Sequence, residues 1–332
     1  MTTAPLRIAI LTCGTIVSKG HLPAFAKAGR DAVDVVAFTS RTRASAESAA
    51  AEWGSGRVVT DWRDVLEMDD VDAVDICSPN ALHAEMAVEA ARAGKHVLVE
   101  KPMAVSLAEA DAMIDAARDA GVVLMTAHNL RGAPAFVGAA EAVRSGRVGE
   151  VDGVRIAFGH SGPASWAPGA TWFYDPALAG GGAGIDLGIH VADLARAVTG
   201  LEVDRVAGVV QYRDDEVDEA AHAAIELSNG ATGVLSATWV ARPGPDLHVT
   251  VLGRDGTVSI SRGSAVVRAA SGGEAQPVAA GPVDLFAGFV DACLDRAAAP
   301  FADTDGREAL AIVVAMYASA RTGTTVPVDH RR

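Results

Sequence analysis

The chain has 332 residues, half of them hydrophobic, and a formal charge of −14. That length suggests two domains with ample material for buried cores. Lys and Arg do not cluster beyond the final Arg331–Arg332 pair, which excludes a nucleic-acid surface and speaks against an anionic membrane as partner. A phosphorylated cofactor would have to be held by local groups, not by the overall field. The three cysteines, Cys13, Cys77 and Cys293, are far apart and form no CxxC pair, so neither a disulfide framework nor a zinc site is expected. The opening Met-Thr-Thr-Ala-Pro lacks the apolar core of a signal peptide, and no stretch approaches an uninterrupted membrane span. These features point to a soluble, cytoplasmic protein.

In chain order, Leu6–Leu11 is a short apolar run followed by a turn at Gly14. Val33–Thr39 is a second strand, and Arg43 to Trp53 an Ala-rich helix. Ala73–Cys77, His96–Val99 and Val122–Thr126 read as further strands. Between them the helical stretches Ala81–Ala93 and Leu107–Ala120 stop at Gly94 and Gly121. Strands alternating with helices predict βαβ units, a parallel sheet, and ligands at the strand C-terminal edge.

The pattern changes after residue 126. Ala133–Ser145 reads as a helix, Val154, Ile156 and Phe158 alternate, and Ile185–Val198 reads as one inserted helix. Ala220–Leu227 and Thr232–Val240 flank the Asn229–Gly230 hairpin turn, and Leu247–Leu252 and Thr257–Ile260 flank Arg254–Gly256. Glu308–Arg321 is a closing helix, and Ala269–Ala280 reads as a surface loop. The expectation is α/β: a Rossmann dinucleotide-binding domain over 1–126, then an α+β domain over 127–332. The second domain should hold an open, mainly antiparallel sheet in a meander. An open sheet must cover an exposed face, which makes oligomerisation plausible.

The turn Thr12-Cys13-Gly14-Thr15-Ile16 follows the first strand and precedes a helix, where a dinucleotide fold places the pyrophosphate. Only Gly14 of the GxGxxG pattern stands, so on this motif alone an ordinary strand-to-helix turn is an equal reading. The second strand ends in Thr39-Ser40-Arg41-Thr42-Arg43, without the acid that binds the 2′-hydroxyl of NAD. Ser40 and Arg41 suit a 2′-phosphate, which favours NADP(H) with NAD(H) as the alternative.

Four further stretches carry chemistry: Ser78-Pro79-Asn80-Ala81-Leu82-His83; Gly94 to Glu100-Lys101-Pro102; Gly180-Gly181-Gly182-Ala183-Gly184-Ile185-Asp186-Leu187-Gly188-Ile189-His190; and Tyr317-Ala318-Ser319-Ala320-Arg321-Thr322-Gly323. Asp186 and His190, four apart on a helix, share one face. Oxidising an alcohol requires removing its proton as hydride leaves, a task for histidine. An ammonium at Lys101 would stabilise the developing alkoxide, and Asp186 would fix a neighbouring hydroxyl or support the charges of Lys101 and His190. The bland alternatives are a solvated lysine, a helix-surface pair and a flexible glycine loop. A metal at Asp186, His190 and Asp193 is not expected, because no further His or Cys stands at useful spacing. A cis Lys101–Pro102 bond would aim Lys101 into a cleft.

Together, in this order, these motifs resemble the glucose–fructose oxidoreductase/inositol dehydrogenase/rhizopine-catabolism (Gfo/Idh/MocA) family over nearly the whole chain. The resemblance implies a nicotinamide cofactor, a small-molecule sugar or polyol substrate, a homodimer or homotetramer, and Lys101, Asp186 and His190 as catalytic trio. The cofactor side is then Thr12, Cys13, Gly14, Thr15, Ile16, Ser40, Arg41, Ser78, Pro79, Asn80, His83, Glu100 and Lys101. His128, Arg131, Trp166 and Trp172 join the trio as substrate-facing candidates, with structural roles as the alternative. His21, His222 and His248 are read as structural. An NAD-dependent glycosidase with transient redox and a non-catalytic NAD(P)-sensing regulator are the competing classes.

Overall fold

The computed structural model describes residues 4–212, 216–278 and 280–331. It falls into two units: Met1–Ala127 with Asp284–Gly306, and His128–Val283 with Arg307–Arg332.

In the first unit six apolar runs become parallel strands: β1 (Leu6–Leu11), β2 (Val33–Thr39), β3 (Arg57–Val59), β4 (Ala73–Ile76), β5 (His96–Val99) and β6 (Leu124–Thr126). Their order is β3-β2-β1-β4-β5-β6, the doubly wound Rossmann arrangement. Strands buried on both faces need near-continuous apolar sequence, and β1 and β4 are such runs apart from Arg7 and Asp75. The order reverses between β1 and β4, so the turns after these two strands flank the crevice where such folds bind ligands. Local chemistry fixes the helices. Thr42 caps helix Arg43–Trp53, Ser106 and Glu109 form a capping box on Leu107–Ala120, and Gly54 and Gly121 close them in left-handed conformation.

One core cluster of this unit joins Ile8, Ile10, Val35 and Phe38 to Leu285, Phe289, Val290 and Phe301. Residues 284–306, which the sequence reading placed with the second domain, therefore pack with the first. The helix Leu285–Cys293 went unread; it packs on helix Leu22–Ala28, far from it along the chain, with Phe286 edge-on to Phe25.

The second unit carries β7 (Val151–Gly159), β8 (Val203–Tyr212), β9 (Asp218–Leu227), β10 (Thr232–Thr238), β11 (Asp246–Gly253), β12 (Gly256–Ser261), β13 (Ser264–Ala269), β14 (Gln276–Val278) and β15 (Val326–Pro327). The order is β14-β13-β12-β11-β7-β10-β9-β8-β15. It is not a pure meander: β7 inserts between β10 and β11 and runs parallel to β10. Part of the Ala269–Ala280 stretch read as loop is strand β14 on β13. Helices Pro134–Arg144 and Gly188–Thr199 pack on strands of this sheet. Val209, Tyr212 and Val234 stay exposed.

The inserted helix is also broken. Ala183–Asp186 is a short helix, Leu187 a junction, and Gly188–Thr199 the next helix. At the junction His190 donates its backbone N–H to Leu187, a tighter turn than the α-helical bond to Asp186. Asp186 and His190 thus sit on either side of a break in the helix.

Candidate active site

On the first unit, the turn after β1 is anchored to the end of β2. Thr12 and Cys13 both donate their backbone N–H groups to the Thr39 carbonyl, at 3.1 and 3.0 Å. Thr12 adopts φ 74°, the left-handed conformation that glycine takes at the start of a dinucleotide turn. A β-branched residue there is strained. Gly14 is exposed, and a Cβ added to it would meet nothing within 4 Å, which leaves open space in front of the turn. Thr15 and Ile16 then lead into a π-helical turn, Val17–His21, continuous with helix Leu22–Ala28. Cys13 is buried, and burial pushes its thiol up to about 12, so it is a packing group. The open front and helix start fit a dinucleotide pyrophosphate.

Ser40 bonds the Cys13 carbonyl at 3.4 Å, which places the β2 end beside the turn. Arg43 is committed to Glu47 at 2.8 Å, whereas Arg41 is exposed. After β4, Ser78 and Asn80 are buried and Pro79 opens the 3-10 turn Asn80–Leu82. His83 is fully buried, with Nδ1 2.8 Å from the Pro102 carbonyl and Nε2 2.9 Å from the Ser78 carbonyl. Burial holds its pKa below the usual value, and a neutral ring donates its single N–H to one of these two carbonyls only. His83 is a tie between the two loops. The Lys101–Pro102 bond is cis, as expected.

His21 was read as merely structural. Its Nδ1 lies 2.7 Å from Asp75 and its Nε2 2.8 Å from Glu100. Glu100 also accepts the backbone N–H of Lys101 at 3.0 Å. The Glu100 carboxylate is thereby turned inward at one end of the motif that ends in Lys101.

On the second unit, Asp186 and His190 are 4 % and 8 % exposed. Asp186 accepts the indole N–H of Trp239 at 2.9 Å and lies 3.5 Å from Nε2 of His160. His160 accepts the Gly162 N–H on Nδ1, which leaves the proton of a neutral ring on Nε2, facing Asp186. The Phe158 ring stands edge-on to both His160 and His190. His160 and Trp239 were missed by the sequence reading. They directly follow β7 and β10, and because those strands run parallel, both fall at one sheet edge. An antiparallel meander hid that signal.

Trp166 and Trp172 pack on Phe173, edge-on and stacked, and Tyr174 stands edge-on to Trp239. His128 and Arg131 are drawn inward. Arg131 forms a two-pronged pair with Asp193, and His128 is 1 % exposed at 3.8 Å from the same carboxylate. Both were candidates to face substrate; their charge partner is Asp193 instead, and they brace the helix that carries His190.

The glycine run is a packed seat, not a flexible loop. Asp218, 1 % exposed, accepts the N–H groups of Gly182 and Gly184 and the Tyr317 hydroxyl, each at 2.7 Å. A Cβ on Gly182 would fall 1.8 Å from the Asp218 carbonyl oxygen, and one on Gly181 2.5 Å from the Tyr317 hydroxyl.

Each unit matches a family model: an oxidoreductase-family NAD-binding Rossmann fold over residues 6–128, and the GFO/IDH/MocA C-terminal domain over 136–259. A 1,5-anhydro-D-fructose reductase of Ensifer adhaerens is 30 % identical over 97 % of this chain and 98 % of its own. Levoglucosan dehydrogenase of Pseudarthrobacter phenanthrenivorans is 37 % identical over a stretch of 47 % of this chain and 40 % of that one. A solved levoglucosan dehydrogenase complex with NADH and levoglucosan superposes with a TM-score of 0.90 at 26 % identity, covering 98 % of this chain and all of that one. A nicotinamide-dependent oxidoreductase is the class these features define. The chain belongs to the Gfo/Idh/MocA family.

The seat around Asp218 gives a direct test. Gly182→Ala should destabilise the protein by about 3 kcal/mol or more, since the clash is with backbone and cannot relax cheaply. Gly14→Ala, facing open space, should leave the melting temperature within a degree or two while weakening cofactor binding. Thermal unfolding of the two variants beside the parent checks both expectations.

Proposed function

We propose that the protein is an NADP(H)-dependent dehydrogenase or reductase acting on a CH–OH or keto carbon of a sugar, sugar derivative or cyclic polyol. The observation that carries this reading is that Asp186, oriented by the Trp239 indole, and His190, just beyond the break at Leu187, are both buried in one short segment. Relatives named for levoglucosan, anhydrofructose and inositols support the substrate class.

When bound, the nicotinamide supplies the two-electron acceptor or donor. Thr12 to Ile16 would hold the pyrophosphate, and Ser78, Pro79 and Asn80 would border the nicotinamide side. Lys101 donates a hydrogen bond to the reacting oxygen and stabilises alkoxide charge. His190 takes the hydroxyl proton during oxidation and returns it during reduction. Asp186, fixed by Trp239, accepts from a neighbouring hydroxyl. Trp172 and Trp166 present aromatic faces suited to sugar C–H surfaces.

Cofactor choice rests on Ser40 and exposed Arg41, because Arg43 is spent on Glu47. The exposed Val209 and Val234 on the open sheet support a homodimer or homotetramer. Unpaired cysteines support a cytoplasmic setting. Among the described residues no helix is long and apolar enough to cross a membrane.

The first experiment is a screen for reduced-nicotinamide absorbance with levoglucosan, myo-inositol, scyllo-inositol and glucose, each with NADP⁺ and NAD⁺. No turnover on any sugar or polyol would count against the substrate class. Arg41→Ala should weaken NADPH about tenfold or more and NADH little, since a charge-assisted hydrogen bond contributes about 1.5–3 kcal/mol. Equal losses would remove the NADP(H) assignment and leave the redox reading standing. His190→Ala should lower turnover by about two to four orders of magnitude with cofactor affinity retained. In the oxidation direction the parent rate should rise with pH through one ionisation that the variant lacks. A variant with parental turnover and an unchanged pH profile would show that another group is the base.

A further inference from the structure

The first unit contains a buried ionic chain that the reaction as described does not use. His21, Asp75 and Glu100 have side chains only 2, 0 and 12 % exposed. Both nitrogens of the His21 ring lie within 2.8 Å of carboxylate oxygens. A carboxylate only accepts hydrogen bonds, so satisfying both contacts requires a ring that donates from both nitrogens, the imidazolium. The chain continues at each end. Cys77 donates its S–H to the other Asp75 oxygen at 3.7 Å, and the other Glu100 oxygen accepts the Lys101 backbone N–H. The π-helical turn Val17–His21 brings the ring inward, and Phe286 closes its edge at 4.9 Å.

We propose that His21 is a charged positioning residue: its imidazolium bridges Asp75 and Glu100, and through Glu100 it fixes the backbone that carries Lys101. This rests on the reading of Lys101 as the group that meets the reacting oxygen. The functional sense is energetic. A buried ion cluster is not needed for stability, since apolar groups of the same volume serve as well or better, but it does hold its members in one geometry.

The groups facing the ring are Asp75 from β4, Cys77 just beyond it, Glu100 at the end of β5, and the uncharged Phe286. Burial alone would lower the His21 pKa; the charge of Asp75 and the hydrogen bonds outweigh it and hold it well above the usual value. Burial would raise Glu100, but its bond to His21 keeps it below the usual range. Cys77 is pushed up by burial and stays a thiol. A histidine with a raised folded-state value contributes stability that is complete below about pH 6.5 and is lost as pH rises through the folded value. His21, Asp75 and Cys77 also bring three metal-ligand atoms together. The 2.7 Å contact from His21 to Asp75 is shorter than the roughly 3.3 Å between two ligands about 2.0–2.1 Å from a tetrahedral zinc.

The test has two arms. Nitrogen-15 spectra of the histidine-labelled protein without cofactor, assigned by loss of one signal in His21→Gln, should show both His21 nitrogens protonated at pH 8. A neutral ring, or a signal that changes on treatment with EDTA or zinc, would overturn the proposal. In the second arm, His21→Gln should lower kcat at least tenfold, with KM for the best substrate of the screen and NADPH affinity within about threefold. Should that variant fold poorly, His21→Gln/Asp75→Asn/Glu100→Gln removes both stranded carboxylates; it should recover the melting temperature and not the kcat. Parental kcat in either folded variant would also overturn the proposal. Lys101→Ala separates the two readings. If it abolishes turnover while His21→Gln keeps it, the positioning role alone fails; if Lys101→Ala keeps turnover, the assignment of Lys101 fails.

Discussion

Three donors converge on the Asp218 carboxylate, and the segment of the second unit that carries Asp186 and His190 hangs from that convergence. Two of the donors are the backbone N–H groups of Gly182 and Gly184 and the third is the Tyr317 hydroxyl. The carboxylate is buried, so each bond lost would leave a desolvated group without compensation. The glycines follow from the same constraint: a side chain at Gly182 would occupy the position of the Asp218 carbonyl. With the loop pinned, the short helix after it delivers Asp186 to the Trp239 indole, and the break at Leu187 sets where His190 emerges. The motif Tyr317 to Gly323 is absorbed in the same way, since Ser319 bonds the Gly208 N–H and the Thr324 carbonyl.

The first unit uses a related device with different charges. Its loops after β4 and β5 are tied by a histidine, His83, whose ring bonds backbone carbonyls, while the strand ends are tied by a second histidine, His21, set between carboxylates. The partners decide the protonation. Carbonyls in a dry site leave His83 neutral, whereas two carboxylates hold the charge on His21. Sequence gives both as a single His near a helix start.

That difference shows what was legible and what was not. The strands of the first unit were readable to within a residue or two at β1, β2, β4, β5 and β6, because a doubly buried parallel strand must be an apolar run. Lys101, Asp186 and His190 are proposed from their motifs alone. Arg131 and His128 stayed open between substrate and structure, because the partner that draws them inward, Asp193, is more than sixty residues away. His160 and Trp239 were invisible, because their importance comes from the parallel register of β7 on β10, and no local pattern encodes strand order. The single helix expected over 185–198 failed at Leu187, where helix periodicity continues through a turn that tightens.

The discontinuity of the first unit bears on how the chain is made. Its core includes Leu285, Phe289, Val290 and Phe301, yet its sheet is complete in sequence by Thr126. On a ribosome adding about 5–20 residues per second, the nascent sheet waits roughly ten to thirty seconds for that segment. During that interval Phe25, Phe38 and their neighbours lack the aromatic and aliphatic cover that finishes them. Residues 128–283 of the second unit are synthesised meanwhile, so the nucleotide-binding unit begins first and is sealed late.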